Sequence, residues 1–327
     1  MHQVAVIGAG RMGQIHARNA ARDPRLALRW IVDPAPAAAA LAEACGAEVA
    51  TMDQVLADDA IEGVVVASST DTHLELTLAC VAAGKAVFCE KPLDLDLAKA
   101  EAAGPELTRP GVRLLLGFNR RFDPHFRALK ARVASGAVGR LESLNIVNHD
   151  PASPPPDFVP RSGGLFKDFT IHDLDMARWL LEAEPAEVFA TASCLVDPEI
   201  GRQGDVDTAK VVLKTADGRL CAISNTRRSG CGYDQRVEAF GAEGMARVTN
   251  LAQAQVEQWG PEGALAAPIE YAFVDRYRDS YRLELEHFAA VVAGEAEPRA
   301  GYHDSLAALR LAEACAASVR EGRAVRA

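Results

Sequence analysis

The stretch GGLFKDFTIHDLDMARW (163–179) sets Asp168, His172, Asp173 and Asp175 among Leu165, Phe169, Ile171, Leu174 and Trp179. Read as a helix, it brings Asp168 and His172 onto one face four residues apart, with Asp175 one turn further along. An imidazole titrates near neutral pH and can take a proton from a substrate and return it, while a carboxylate beside it orients the ring. A solvated acidic stripe has the same spacing, and so does a metal site built from Asp168, His172 and Asp175. No further ligand stands at metal spacing, so no metal is expected. Between proton transfer and a plain acidic surface the segment alone does not choose.

A second candidate is CEKP (89–92), at the end of an apolar run. A lysine at the carboxyl end of a strand, next to a nucleotide, puts an ammonium where charge develops on a substrate oxygen. A surface lysine before a turn-setting proline would look the same.

The nucleotide itself is suggested by GAGRMG, which has Gly8, Gly10 and Gly13 in GxGxxG spacing directly after a strand-like run and opening a helical one. Gly8 permits the tight turn, Gly10 lets a pyrophosphate approach the backbone, and Gly13 allows close helix–strand packing. Asp33 ends the next strand, where a carboxylate can accept both ribose hydroxyls; it is also well placed as a turn residue before Pro34. The following PAPAAAA carries no Arg or Lys for a 2′-phosphate, which favours NAD over NADP. SSTDTH (68–73) leaves the end of the third strand, where ligand loops gather, although Asp71 there could equally cap the next helix. The expected cofactor-contacting set is Gly8, Gly10, Arg11, Met12, Gly13, Asp33, Ser68, Ser69, Thr70, His73, Glu90 and Lys91.

These residues need a scaffold. VAVIGAG, LALRWIVD, IEGVVVASS, KAVFCEKP and VRLLLGFN are apolar throughout, and helical segments separate them. Strands of that kind form a parallel sheet covered on both faces, here a doubly wound Rossmann fold over residues 1–120. From 121 to 327 the texture changes to alternating strands, with hairpin turns at TADGRL and GAEGMA. This predicts a C-terminal α/β domain with a large open, mostly antiparallel sheet. The closing helices are candidates to pack back on the first domain.

The totals agree with an enzyme of two domains: 327 residues, about half of them apolar, and a formal net charge of −10. That charge argues against a phosphate-tracking nucleic-acid binder. Seven cysteines show no CxxC and no metal spacing, and several sit in apolar runs, as reduced buried thiols do. No apolar run approaches membrane-spanning length and no signal peptide is apparent, so a cytoplasmic protein is expected, with no membrane partner.

Taken together, VIGAGRMGQIHARN, SSTDTH, CEKPLDLD, GFNRRFDP, GGLFKDFTIHDLDMARW and GYDQRVEAFGAEG resemble the Gfo/Idh/MocA oxidoreductases, and among them the inositol 2-dehydrogenase branch. The resemblance runs through nearly the whole chain, to RYRDSYRLELEHF. It implies a Rossmann domain followed by an α/β domain with a large open sheet, and a homotetramer assembled through that sheet. By position, Lys91 matches the EKP lysine, and Asp168 and His172 match the acid–histidine pair. Arg120, Asp150 and Tyr233 match polyol-contacting positions, making the substrate set Lys91, Arg120, Asp150, Asp168, His172 and Tyr233. The implied reaction is NAD-dependent oxidation of a ring CH–OH, most simply myo-inositol to 2-keto-inositol, with His172 as base. Another inositol isomer, a pyranose, or a non-catalytic NAD-dependent sensor are the alternatives.

Overall fold

The computed structural model describes residues 1–155 and 157–327. Of the proline-rich stretch 150–160, whose role the sequence leaves open, Pro156 lies outside the described residues. The chain forms two compact units, Met1–Phe122 with Asp279–Leu309, and Asp123–Arg278 with Arg310–Ala327. The first unit thus takes in a later helical segment besides its N-terminal part.

In the first unit a six-stranded parallel sheet runs in the order β3-β2-β1-β4-β5-β6: β1 His2–Ile7, β2 Leu26–Val32, β3 Glu48–Val49, β4 Ile61–Val66, β5 Ala86–Glu90 and β6 Leu114–Gly117. The order reverses between β1 and β4, the place where doubly wound sheets bind ligands. Five of these strands follow from their apolar runs; β3 is two exposed residues with no such signature. Buried Val4, Val6, Ile31, Val65 and Phe88 form the core with Leu285, Phe288 and Val292 from the late helix Arg278–Val292, and the Phe88 and Phe288 rings lie 5.8 Å apart. That helix belongs here because its apolar stripe fills a face of this sheet.

In the second unit a seven-stranded sheet runs β12-β11-β7-β10-β9-β8-β15, made of β7 Leu141–His149, β8 Pro185–Ser193, β9 Thr208–Thr215, β10 Leu220–Thr226, β11 Asp234–Gly241, β12 Gly244–Val248 and β15 Val325–Arg326. TADGRL joins β9 to β10 and GAEGMA joins β11 to β12, as expected. All neighbours in this sheet are antiparallel except β7 and β10, which are parallel. A separate hairpin, β13 Glu257–Gly260 with β14 Gly263–Ala266, was not anticipated.

All seven cysteines are free. Burial pushes the Cys80 and Cys89 thiols up to about 12, so both are structural and inert. Among the described residues no helix is long and apolar enough to cross a membrane.

Candidate active site

The glycine turn after β1 is built for close approach. Gly8 has φ +104°, and a Cβ there would lie 2.3 Å from the Ala67 carbonyl oxygen at the end of β4. A Cβ at Gly13 would meet the Gly8 carbonyl oxygen at 1.9 Å, so the helix Arg11–Ala20 can close on the turn only with glycine at that position. A Cβ at Gly10 would meet nothing within 4 Å. Open space at a helix N-terminus with uncapped N–H groups fits a seated pyrophosphate.

Asp33 does two jobs at once. Its Oδ2 accepts the Ala9 N–H at 2.7 Å and its Oδ1 accepts the Ala35 N–H at 2.7 Å. The turn before Pro34 and the anchor on the glycine loop thus coexist. Each oxygen keeps a further lone pair for a ribose hydroxyl. The residues present fit a dinucleotide.

The loop after β4 is tied together by its own hydroxyls, with Ser68 Oγ 2.7 Å from Thr72 Oγ1 and Thr72 Oγ1 donating to the Ser69 carbonyl at 2.8 Å. Asp71 is exposed and does not cap the next helix. His73 points inward: it is buried, with Nδ1 2.8 Å from the Pro92 carbonyl oxygen and Nε2 3.3 Å from that of Ser68. Glu90 is likewise interior, its Oε1 2.6 Å from His16 Nε2. These bonds fix the backbone on either side of Lys91, which is half-buried and followed by a cis peptide bond to Pro92. Arg11 is exposed, Met12 half-buried, and Arg120 buried in a short 3₁₀ turn beside Arg121. Arg121 is engaged by Asp304 at 2.7 Å and by the Arg299 carbonyl at 2.8 Å.

Sequence reading passed over Glu284. It is fully buried, and neither carboxyl oxygen has a hydrogen-bond partner among the described residues. Burial, and then the nearby Glu90 charge, push its pKa well above the ordinary carboxylate range. The folded protein therefore holds a proton that the unfolded chain releases above its value of 4.5. Stability tied to this group is full below that value and falls as pH rises toward the folded pKa. Glu284→Gln carries no such penalty, so its melting temperature relative to wild type should climb between about pH 5 and pH 8. An equal difference at both pH values in thermal denaturation would contradict a protonated Glu284.

In the second unit the predicted helix is two structures. Phe166–Thr170 is a turn of π-helix, which passes into the α-helix Ile171–Leu181. Such turns carry one extra residue per ring and often mark functional sites. Asp168 and His172 are half-buried, whereas Asp173 and Asp175 are buried, so the segment is not a solvated acidic stripe. Asp175 lies 3.6 Å from Arg178 Nη1. Asp173 Oδ2 accepts from Asn148 Nδ2 at 2.9 Å and Asn225 Nδ2 at 2.8 Å, and Thr170 Oγ1 donates to Asn225 Oδ1 at 2.8 Å. These bonds pin the π turn to β10 and the helix after it to β7 and β10.

Asp168 Oδ2 accepts from Arg227 Nη2 at 2.9 Å, and the same guanidinium reaches Asp150 Oδ2 at 3.4 Å through Nη1. Two residues predicted on separate segments, Asp150 and Asp168, are thus joined by one that the sequence reading missed. Tyr233 is buried just before β11, its ring edge-on to Tyr277 at 5.8 Å and its N–H donating to the Glu270 carbonyl at 2.9 Å.

A glycine cradle at the switch point of a parallel sheet makes the first unit a dinucleotide-binding domain, and the second supplies an acid–histidine segment on a mixed sheet. The chain belongs to the Gfo/Idh/MocA oxidoreductase family: residues 2–118 match its NAD-binding Rossmann fold and residues 126–247 its C-terminal domain. It is 43% identical to an inositol 2-dehydrogenase of Rhizobium meliloti over 321 residues, covering 98% of this chain and 97% of that protein. The crystal structure of a myo-inositol dehydrogenase from Corynebacterium glutamicum matches with a TM-score of 0.95 at 42% identity, covering 99% of this chain and 98% of that one. A scyllo-inositol dehydrogenase from Lactobacillus casei, solved with NAD(H) and scyllo-inositol, matches with a TM-score of 0.92 at 26% identity, covering 100% of this chain and 99% of that one. The protein is an NAD-binding oxidoreductase.

Proposed function

We propose that this oxidoreductase removes hydrogen from a ring secondary alcohol of a cyclic polyol, with myo-inositol going to 2-keto-inositol, in the cytoplasm. The observation that carries the chemistry is Asp168, a half-buried carboxylate held by Arg227 four residues before His172. Relatives named for inositol oxidation at 43% identity support the substrate class. NAD, held by Gly8, Gly10, Gly13 and Asp33 with the loop 68–70, supplies the hydride acceptor. His172 takes the hydroxyl proton as the C–H bond breaks, leaving a ketone, and Asp168 orients the imidazole and stabilises its charged form. Lys91 stabilises alkoxide character on the reacting oxygen. Arg120, Asp150 and Tyr233 bind the remaining hydroxyls.

NADH absorbance under mildly alkaline conditions tests this with NAD or NADP against myo-, scyllo- and D-chiro-inositol, glucose, xylose and galactose. Reduction of NAD with myo-inositol is expected. Turnover of a pyranose alone would overturn the substrate and keep the mechanism; silence in protein that binds NAD would favour a sensor. Scyllo-inositol is the second reading, since one structural neighbour holds it.

The outward face of the second sheet carries Phe189, Val212, Leu220, Phe240 and Met245, all exposed, on five adjoining or near-adjoining strands. A homotetramer that covers this face accounts for them. Light scattering that gave a monomer would remove that assignment.

A further inference from the structure

Two polar rungs stand at the carboxyl ends of β7 and β10, the parallel pair of the second sheet. Both strands alternate, and their inward positions run Leu144, Ile146, Asn148 on one and Cys221, Ile223, Asn225 on the other, with Arg227 continuing the second series. Asn148 and Asn225 are register partners. One rung further, Asp150 donates its N–H to the Thr226 carbonyl at 3.0 Å, which brings Asp150 and Arg227 level. The inner rung grips Asp173, and Arg227 of the outer rung grips Asp168.

Arg227 is held from all sides. It is 4% exposed, and its guanidinium carbon lies 4.8 Å from the Phe169 ring centroid. Its N–H donates to the Asp207 carbonyl at 2.9 Å, and the buried Asp207 carboxylate accepts the N–H groups of Leu195, Val196 and Asp197. Neither its backbone nor its side chain is at liberty to wander.

We propose that Arg227 is a positioning residue for the acid–histidine pair: a fixed cation that aims Asp168, keeps Asp168 and Asp150 as carboxylates, and by its charge keeps His172 neutral and able to accept a proton. This rests on the reading of His172 as the base. Arginine suits the task because its planar fork bonds two carboxylates at once and does not deprotonate in proteins. Its facing charges are Asp168 from the π turn, Asp150 beyond β7, and Asp205 from the loop before β9. Burial works against the guanidinium charge, but the three carboxylates outweigh it and the net pKa is raised. Asp168 precedes His172 by four residues, so removing the cation leaves an uncompensated carboxylate on its own segment, and the His172 imidazolium becomes harder to deprotonate.

The test is the pH dependence of kcat/KM for the polyol in wild type, Arg227→Gln, Arg227→Lys and His172→Ala. Arg227→Gln should lose roughly 10²-fold in kcat through misplacement of Asp168. Its acid limb should move up by about one pH unit. Arg227→Lys keeps the charge and loses the fork, so kcat should fall while the limb stays at the wild-type pH. A fall in kcat for Arg227→Gln with an unmoved limb would make Arg227 a packing residue and overturn the proposal. If Arg227→Gln does not fold, Arg227→Lys decides, since undiminished kcat there means the fork is dispensable. An acid limb that persists in the residual activity of His172→Ala would instead remove the reading of the base on which the proposal rests.

Discussion

His172→Ala is expected to lower kcat for polyol oxidation by roughly 10²–10⁴-fold, the usual worth of a positioned general base. The affinity for NAD should hardly change, because His172 is not among the residues assigned to the nucleotide, namely the glycine turn, Asp33 and the loop after β4. The local fold should also survive. The π turn and the helix behind it are secured by the buried Asp173, which Asn148 and Asn225 both reach, and by Thr170 on Asn225. Loss of the imidazole removes a proton acceptor and leaves that scaffold standing. A raised pH should partly restore turnover as hydroxide replaces the missing base. Unchanged kcat in His172→Ala, measured by NADH formation at saturating NAD, would take His172 out of the mechanism.

That scaffold shows which features a sequence displays and which it hides. The Rossmann strands are legible because each is apolar on both faces, the mark of a covered parallel sheet. The hairpins TADGRL and GAEGMA announce themselves by their turn residues. The parallel pairing of β7 with β10 leaves no such trace, since it joins segments more than seventy positions apart and depends on which edges remain open. The extra residue of the π turn is equally silent, because Phe166 to Thr170 keeps the apolar spacing of an ordinary helix.

Arg227 differs: a signal was there. Asn148 and Asn225 occupy inward positions in strands whose other inward residues are apolar, and Arg227 continues that series. A polar residue where the period demands a hydrophobe must find a partner, because burying it unpaired costs about 1–3 kcal/mol. Applied to IVNHD and SNTR, that rule asks for a buried polar partner for each, which Asp173 and Asp168 supply. His73 and Glu90 show a different limit. Each sits at the carboxyl end of a parallel strand, where a side chain can point in or out, and their buried partners Pro92, Ser68 and His16 leave no trace in the sequence.

Those partners set up the other large effect, at Lys91. Glu90 is anchored to His16, on the helix that opens at the glycine turn, and the Pro92 carbonyl is anchored to His73. The residue between them has both neighbours fixed by buried contacts, so its ammonium is presented from a rigid backbone, as electrostatic stabilisation of a developing alkoxide requires. Lys91→Met keeps most of the stem and removes the charge; kcat should fall by roughly 10²–10³-fold, with the dissociation constant for NAD little altered. Lys91→Arg should restore only part, since a planar guanidinium on a longer reach does not put its charge where an ammonium does. The ratio of the two losses carries the information. If Lys91→Met instead weakens NAD binding in fluorescence titration and leaves kcat intact, the lysine serves the nucleotide, and the alkoxide must be stabilised by another group.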